Sequence, residues 1–184
     1  MKEKKHIVTS LYESPFGMLL LGSFGERLCL CDWHTEHHRD KISGRLQRIL
    51  NARLEEETSP VIEKASSELD EYFAGKRKAF DIPLLFTGTE FQKAVWQALL
   101  DIPYGNTISY KEQAMRIGKP TAIRAVANAN GANPISLFAP CHRVVGSDNS
   151  LTGYGGGIKI KEYLLNLENQ HRDDADALFS AAIK

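Results

Sequence analysis

The sequence predicts two domains of different class: an α/β domain over residues 1–87 and a mainly α domain over residues 88–170 containing a helix-turn-helix. Residues 171–184 read as a tail. Two patterns predict this division. Before residue 34, short runs of strand-forming residues alternate with glycine turns. After residue 88, two Ser/Thr-x-x-Glu/Gln helix starts appear, the second opening a pair of short helices joined at a glycine.

Taken in order, Ile7–Leu11, Met18–Ser23 and Arg27–Trp33 are expected strands, with turns at Ser14-Pro15-Phe16-Gly17 and Phe24-Gly25-Glu26. Ile42, Leu46, Ile49 and Leu50 recur at helical spacing within residues 35–51. A second helix is capped by Ser59, opens on Pro60, presents Ile62, Ala65, Leu69, Tyr72 and Phe73, and stops at Gly75. The apolar run Phe80–Leu85 is a further candidate strand.

Thr89-Glu90-Phe91-Gln92 opens the next helix, with Phe91, Ala94, Val95, Ala98 and Leu99 on its core face. Ser109-Tyr110-Lys111-Glu112 starts a short helix that Gly118 ends, and Thr121 begins another that runs to about Asn130. Thr121, Ala122, Ala125, Ala127 and Ala129 are small, and Arg124 is that helix's only charge. Small residues admit close approach to a surface, into which a single arginine can reach; the same composition equally suits a tightly packed core helix with an incidental arginine. The last helix carries Ile158, Ile160, Tyr163, Leu164, Leu165 and Leu167, with Glu168 at its far end.

Composition sets broad limits. The 184 residues are 42% hydrophobic and 25% charged with zero net charge, ordinary for a soluble globular protein. No apolar run approaches the roughly 20 residues of a membrane helix. Between Gly105 and Val145, however, five basic residues (Lys111, Arg116, Lys119, Arg124, Arg143) face one acid, Glu112, a footprint compatible with phosphate. Three cysteines, Cys29, Cys31 and Cys141, behind an amino terminus unlike a signal sequence predict unpaired thiols in a reducing cytoplasm.

Two tempting ligand sites fail on spacing. Cys29, Cys31, His34, His37 and His38 match no standard zinc pattern, so no metal is expected. The glycine-rich Thr152–Gly157 segment lacks the Lys-Ser/Thr that a phosphate loop requires.

The chemistry concentrates in Asn133–Val145, where an apolar run leads to Pro140-Cys141-His142-Arg143-Val144. A thiol becomes nucleophilic beside a base or a positive charge, and both stand next door. On a strand, Cys141 and His142 would point to opposite faces. A proton passing between them would then need a bridging water, or a turn that breaks the extended geometry.

These residues resemble the O6-alkylguanine-DNA alkyltransferase family over roughly residues 87–169. The likeness rests on the pentapeptide together with Tyr110, Arg124, Asn133, Tyr154 and Glu168 in matching order and spacing. It implies a ribonuclease H-like first domain and a winged-helix-like second one. It further implies stoichiometric transfer of an alkyl group from O6-alkylguanine, and from O4-alkylthymine, in double-stranded DNA to Cys141, with no cofactor and the protein acting as a monomer. The helix bearing Thr121, Ala122, Ala125 and Arg124 would enter the minor groove, with Arg124 filling the gap left by a flipped nucleotide. Tyr110, Tyr154, the backbone of Gly155 and the carbonyls of Cys141 and Val144 would hold the base. Glu168 would orient His142, which takes the thiol proton through water. Asn133 and Arg143 would brace the site. Gly155 stands where some members have serine, which leaves only a backbone donor there. The competing readings are a binding module, whose known examples lack the cysteine, and a cysteine hydrolase, which would need no helix-turn-helix.

Overall fold

The computed structural model describes residues 5–35 and 39–173, arranged as two compact units. Among the described residues, the first comprises 5–35 and 39–88 with Pro134–Ser136, and the second Thr89–Asn133 with residues 137–173. The boundary near residue 88 therefore has an exception: three residues ahead of the cysteine segment belong to the first unit. The tail boundary also moves, because the last helix runs to His171.

In the first unit, β1 (Lys5–Ser14), β2 (Gly17–Phe24) and β3 (Arg27–Trp33) form an antiparallel meander, and β4 (Ala52–Glu56) adds parallel to β1, giving the order β3-β2-β1-β4. Helix α1 (Arg39–Leu50) supplies Ile42 and Leu46 to a core with Ile7, Cys29, Leu30 and Ala52. Helix α2 (Pro60–Phe73) begins as expected, with the Ser59 hydroxyl accepting from the Ile62 N–H at 3.2 Å.

One sequence expectation is corrected in this unit, and one strand was not anticipated. Phe80–Leu85 forms no strand; it makes only an isolated bridge, in which the Leu28 N–H donates to the Pro83 carbonyl and the Leu85 N–H to that of Leu28. Strand β4 went unread because Arg53, Glu55 and Glu56 give an edge strand a polar composition. Cys29 and Cys31 are buried thiols, and burial pushes the Cys29 thiol up to about 12. No group of three His, Cys, Asp or Glu side chains among the described residues is placed to hold a metal; His37 and His38 lie outside them.

The second unit contains α3 (Glu90–Leu99), β5 (Ile108–Ser109), α4 (Tyr110–Arg116), α5 (Ile123–Gly131), β6 (Val144–Val145) and α6 (Ile158–His171). The capping box on α3 is complete: Thr89 Oγ1 accepts from the Gln92 N–H at 3.2 Å and Gln92 Oε1 from the Thr89 N–H at 3.0 Å. On α4 only half forms. Ser109 Oγ accepts from the Glu112 N–H at 3.0 Å, while the Glu112 carboxylate turns to Arg116 at 2.6 Å. The predicted faces of α3 and α5 also need revision. Ala94 is exposed and Trp96 is buried, its indole N–H donating to the Ala129 carbonyl at 2.8 Å, so Ala129 faces the core.

Helices α4 and α5 are fixed to α3 by a buried amide pair. Asn130 Nδ2 donates to Gln113 Oε1 at 2.6 Å, and Gln113 Nε2 donates to the Val95 carbonyl at 3.1 Å. Between the two helices Gly118 takes φ 70°, which a side chain would resist. Helix α5 starts at Ile123, two residues later than expected, which leaves Thr121 in the turn and Ala122 as a cap without a side-chain bond.

Candidate active site

After α5 the Asn133 amide donates to the Ala139 carbonyl at 2.8 Å and closes a buried loop. Between Asn133 and Cys141 no strand forms. Ile135 makes one bridge to Cys31, and Leu137 sits at φ 72°, a conformation costing a non-glycine residue about 1–2 kcal/mol. Cys141–Arg143 is a single 3₁₀ turn, in which the Arg143 N–H donates to the Pro140 carbonyl at 3.0 Å. Cys141 and His142 therefore diverge by about 120°, the step of a three-residue turn, rather than lying on opposite faces. Immediately afterwards β6 pairs parallel with β5, Val144 beside Ile108 and Val145 beside Ser109. That ladder sets the turn near Tyr110, the first residue of α4.

Cys141, His142, Arg143 and Glu168 are all buried, with His142 and Glu168 fully so. The Glu168 carboxylate meets a ring of donors. His142 Nε2 lies 2.7 Å from Oε1, Arg143 Nε 2.9 Å from Oε2, Arg143 Nη2 3.0 Å from Oε1, and the Gly105 N–H 3.0 Å from Oε2. Burial alone would raise this carboxyl's pKa, but the charges and hydrogen bonds of His142 and Arg143 outweigh it and hold Glu168 ionised, well below the usual carboxylate range. Arg143 is tied further to the Ile102 carbonyl at 2.7 Å and lies over the Tyr104 ring at 5.7 Å.

Burial pushes the His142 pKa down, against the pull of Glu168, and the neighbouring cations Arg143 and Lys161 push the same way. The neutral imidazole must give its one proton to the ionised carboxylate, so Nε2 is the donor and Nδ1 carries the lone pair. Nδ1 is buried and has no protein hydrogen-bond partner. It is the basic nitrogen of the site, and Cys141 does not bond to it directly.

Gly105 was not anticipated. It stands at φ 77°, and a Cβ there would lie 2.8 Å from Arg172 Cβ. Gly105→Ala should displace the N–H that donates to Glu168 and destabilise the protein by roughly 1–3 kcal/mol. Thermal unfolding together with the single-turnover transfer rate checks this, and both should fall.

Lys161 was also missed. The sequence suggested an apolar face for α6, yet Ile158 and Tyr163 are half exposed and the buried face is Lys161, Leu164 and Glu168. Lys161 Nζ donates to the Val144 carbonyl at 2.5 Å and the Thr152 carbonyl at 3.0 Å, and lies 3.5 Å from the Tyr110 hydroxyl. Tyr110 itself donates to the Thr152 carbonyl at 2.9 Å, and burial raises its pKa.

The structure thus gathers Cys141, His142, Arg143, Val144, Glu168 and Tyr110, with Asn133 closing the loop ahead of the turn. Tyr154 and Gly155 are half-buried on the glycine-rich loop. Arg124, Thr121 and Ala125 stand apart, exposed on or just before α5, with Ala122 half-buried beside them.

A buried cysteine next in the chain to a buried imidazole, itself bonded to a carboxylate, is an arrangement that can support a base-assisted cysteine nucleophile. Comparison with known proteins narrows the class. Residues 7–86 match the ribonuclease-like domain, and residues 90–170 the DNA-binding domain, of 6-O-methylguanine DNA methyltransferase. The methylated-DNA–protein-cysteine methyltransferase of Methanosarcina barkeri is 45% identical over 88% of this chain and 96% of its own, and the constitutive Bacillus subtilis enzyme 50% identical over 85% and 92%. Among solved structures, Mycobacterium tuberculosis OGT in complex with DNA superposes with a TM-score of 0.75 at 41% identity, covering 95% of this chain and 99% of its own. The chain belongs to the 6-O-methylguanine DNA methyltransferase family, and its two-domain fold is that family's.

Proposed function

We propose that this protein repairs DNA by moving the alkyl group of an O6-alkylguanine onto Cys141, once per molecule. The observation that carries the reading is His142: Nε2 committed to Glu168, Nδ1 basic and unoccupied by any protein donor, and Cys141 the preceding residue. The Cys141 proton passes through a water to Nδ1. The thiolate attacks the alkyl carbon in line, a C–S bond forms, the C–O6 bond breaks, and its electron pair departs with guanine, which is then protonated. Water does not cleave the resulting thioether at neutral pH, so turnover ends there.

The DNA side of the reading is supported by the exposed, small-residue surface around α5. The helix-turn-helix α4–α5 lies in the minor groove, Arg124 replaces the flipped nucleotide in the stack, and Thr121, Ala122 and Ala125 permit the approach. Tyr110, Tyr154, Gly155 and the Cys141 and Val144 carbonyls enclose the base. The protein works as a monomer in a reducing cytoplasm.

Intact-protein mass spectrometry after mixing with a duplex containing one O6-methylguanine tests this, with Cys141→Ala alongside. The expected result is a gain of one methyl group on the Cys141 peptide, stopping at one per protein and missing from the variant. No gain with the duplex retained would make the protein a binding module. No gain and no retention would remove the DNA reading altogether.

A further inference from the structure

The first unit carries a groove that the cysteine chemistry does not use. It lies where the turn between β1 and β2 meets the end of α2, and Tyr12, Glu13, Pro15, Asp70 and Phe73 line a cavity of about 490 Å³. Its walls are aromatic. Phe73 stacks on Tyr12, with ring centres 6.4 Å apart and planes 15° from parallel, and meets Phe16 edge to face at 5.8 Å. All three rings are half-buried, so each keeps some surface toward solvent.

Asp70 breaks a local preference. It stands in the last turn of α2, where the helix's partial negative charge favours lysine or arginine, yet that turn holds no basic residue. Neighbouring Glu71 is answered by Arg77 at 2.7 Å. The Asp70 carboxylate receives the Tyr12 hydroxyl at 2.7 Å, and neither it nor Glu13 has an ion-pair partner among the described residues. Lys76 and Arg77 follow the helix, but neither lines the groove, and Arg77 is committed to Glu71 and Glu68. The lining residues thus carry two unmatched carboxylates and no cation. The helix end and the aromatic faces add negative potential to theirs.

We propose that this groove is a docking site for an arginine side chain presented by a partner protein. A guanidinium suits it better than an ammonium. It is planar and weakly hydrated, so it can stack on an aromatic ring while its N–H groups donate to carboxylates, here Asp70 and Glu13. The Tyr12 hydroxyl holds Asp70 Oδ1, which fixes the carboxylate and leaves Oδ2 for the incoming donor. None of these residues belongs to the cysteine site, so loss of this docking and loss of repair are separable.

Nuclear magnetic resonance titration of the full-length protein with a capped Gly-Arg-Gly tripeptide tests this, with capped Gly-Lys-Gly as the control at equal ionic strength. The arginine peptide should shift the amide resonances of residues 12–15 and 70–74. Its dissociation constant should be about 1–10 mM, as suits one small group in an open groove. The lysine peptide should bind more weakly by about fivefold or more. Asp70→Asn should weaken the arginine peptide by about tenfold, while its thermal midpoint holds or rises because an acid at the helix's negative end is gone. Glu13→Gln should weaken it by about threefold, and it remains informative if the Asp70 variant fails to fold. No shift in the groove at about 50 mM arginine peptide overturns the proposal, as does equal binding of the lysine peptide. Undiminished binding to folded Asp70→Asn overturns it too. If wild type takes no methyl from the duplex, the repair reading fails while the titration still decides the groove.

Discussion

Glu168→Gln should cost the protein most of its transfer rate and a large part of its stability. The carboxylate collects bonds from His142, Gly105 and the guanidinium of Arg143. An amide in its place still has one accepting oxygen, but its NH₂ group then faces donors. Arg143 is left buried without its counter-charge, and breaking a buried pair in this way costs about 3–5 kcal/mol. For a chain of this size that corresponds to a melting temperature lower by roughly 10 °C. The imidazole also loses the anion that stabilises its protonated form, so transfer should fall by about 100-fold or more. Thermal unfolding and single-turnover transfer check both effects; a Glu168→Gln protein with wild-type stability and rate would remove Glu168 from the mechanism.

Acid exposes the same linkage. Glu168 has a folded-state pKa below its unfolded value, so its stabilisation is present above the unfolded carboxylate range and is lost as pH falls through the folded pKa. His142 is also held below its ordinary value of 6.5, so once pH drops past that value the unfolded chain takes up the proton first. Stability should therefore begin to decline below pH 6.5 through His142, with Glu168 contributing further down. Transfer should persist through pH 6.5 and fall only at the lower pKa of folded His142. Urea unfolding of wild type and Glu168→Gln along this range should show the gap between them narrowing with acid.

Which of these features could be read from the chain follows from how local each one is. Ser59, Thr89, Ser109 and Gly118 mark helix ends through bonds or dihedrals within a few residues, so the helices they bound were evident. Cys141 and His142 are adjacent in the chain, and the family likeness singled out Glu168, whose carboxylate meets His142 at 2.7 Å. Lys161 was hidden because a lysine on an amphipathic helix is ordinarily a solvated residue. Its burial depends on carbonyls from Val144 and Thr152, chain segments with no periodicity to announce them. Gly105 was missed because its N–H bond crosses to Glu168, 63 residues away, with no local pattern to mark it. The 3₁₀ turn at Cys141 resembles a strand end in composition; the Asn133 amide and the proline before the cysteine close it instead.

Arg124→Ala should separate the two halves of the activity more cleanly than any change near the thiol. Arg124 is exposed on α5 and outside the buried cluster, so removing its side chain should alter stability by no more than about 0.5 kcal/mol. In duplex DNA the target base leaves the stack only at a cost of a few kcal/mol, part of which an inserted arginine recovers. Without it, single-turnover transfer from an O6-methylguanine duplex should slow by about 100-fold, since 2–3 kcal/mol is worth that factor. A free alkylated guanine base has no stack to leave. Its transfer to Cys141 should stay within about twofold of wild type, because His142, Glu168 and Lys161 are untouched. Lys119→Ala provides the contrast: a phosphate contact should weaken binding to all duplexes alike and reduce the salt slope by about one. Equal losses on duplex and free base in Arg124→Ala would mean that α5 supports the thiol site itself, and the minor-groove role of Arg124 would be wrong.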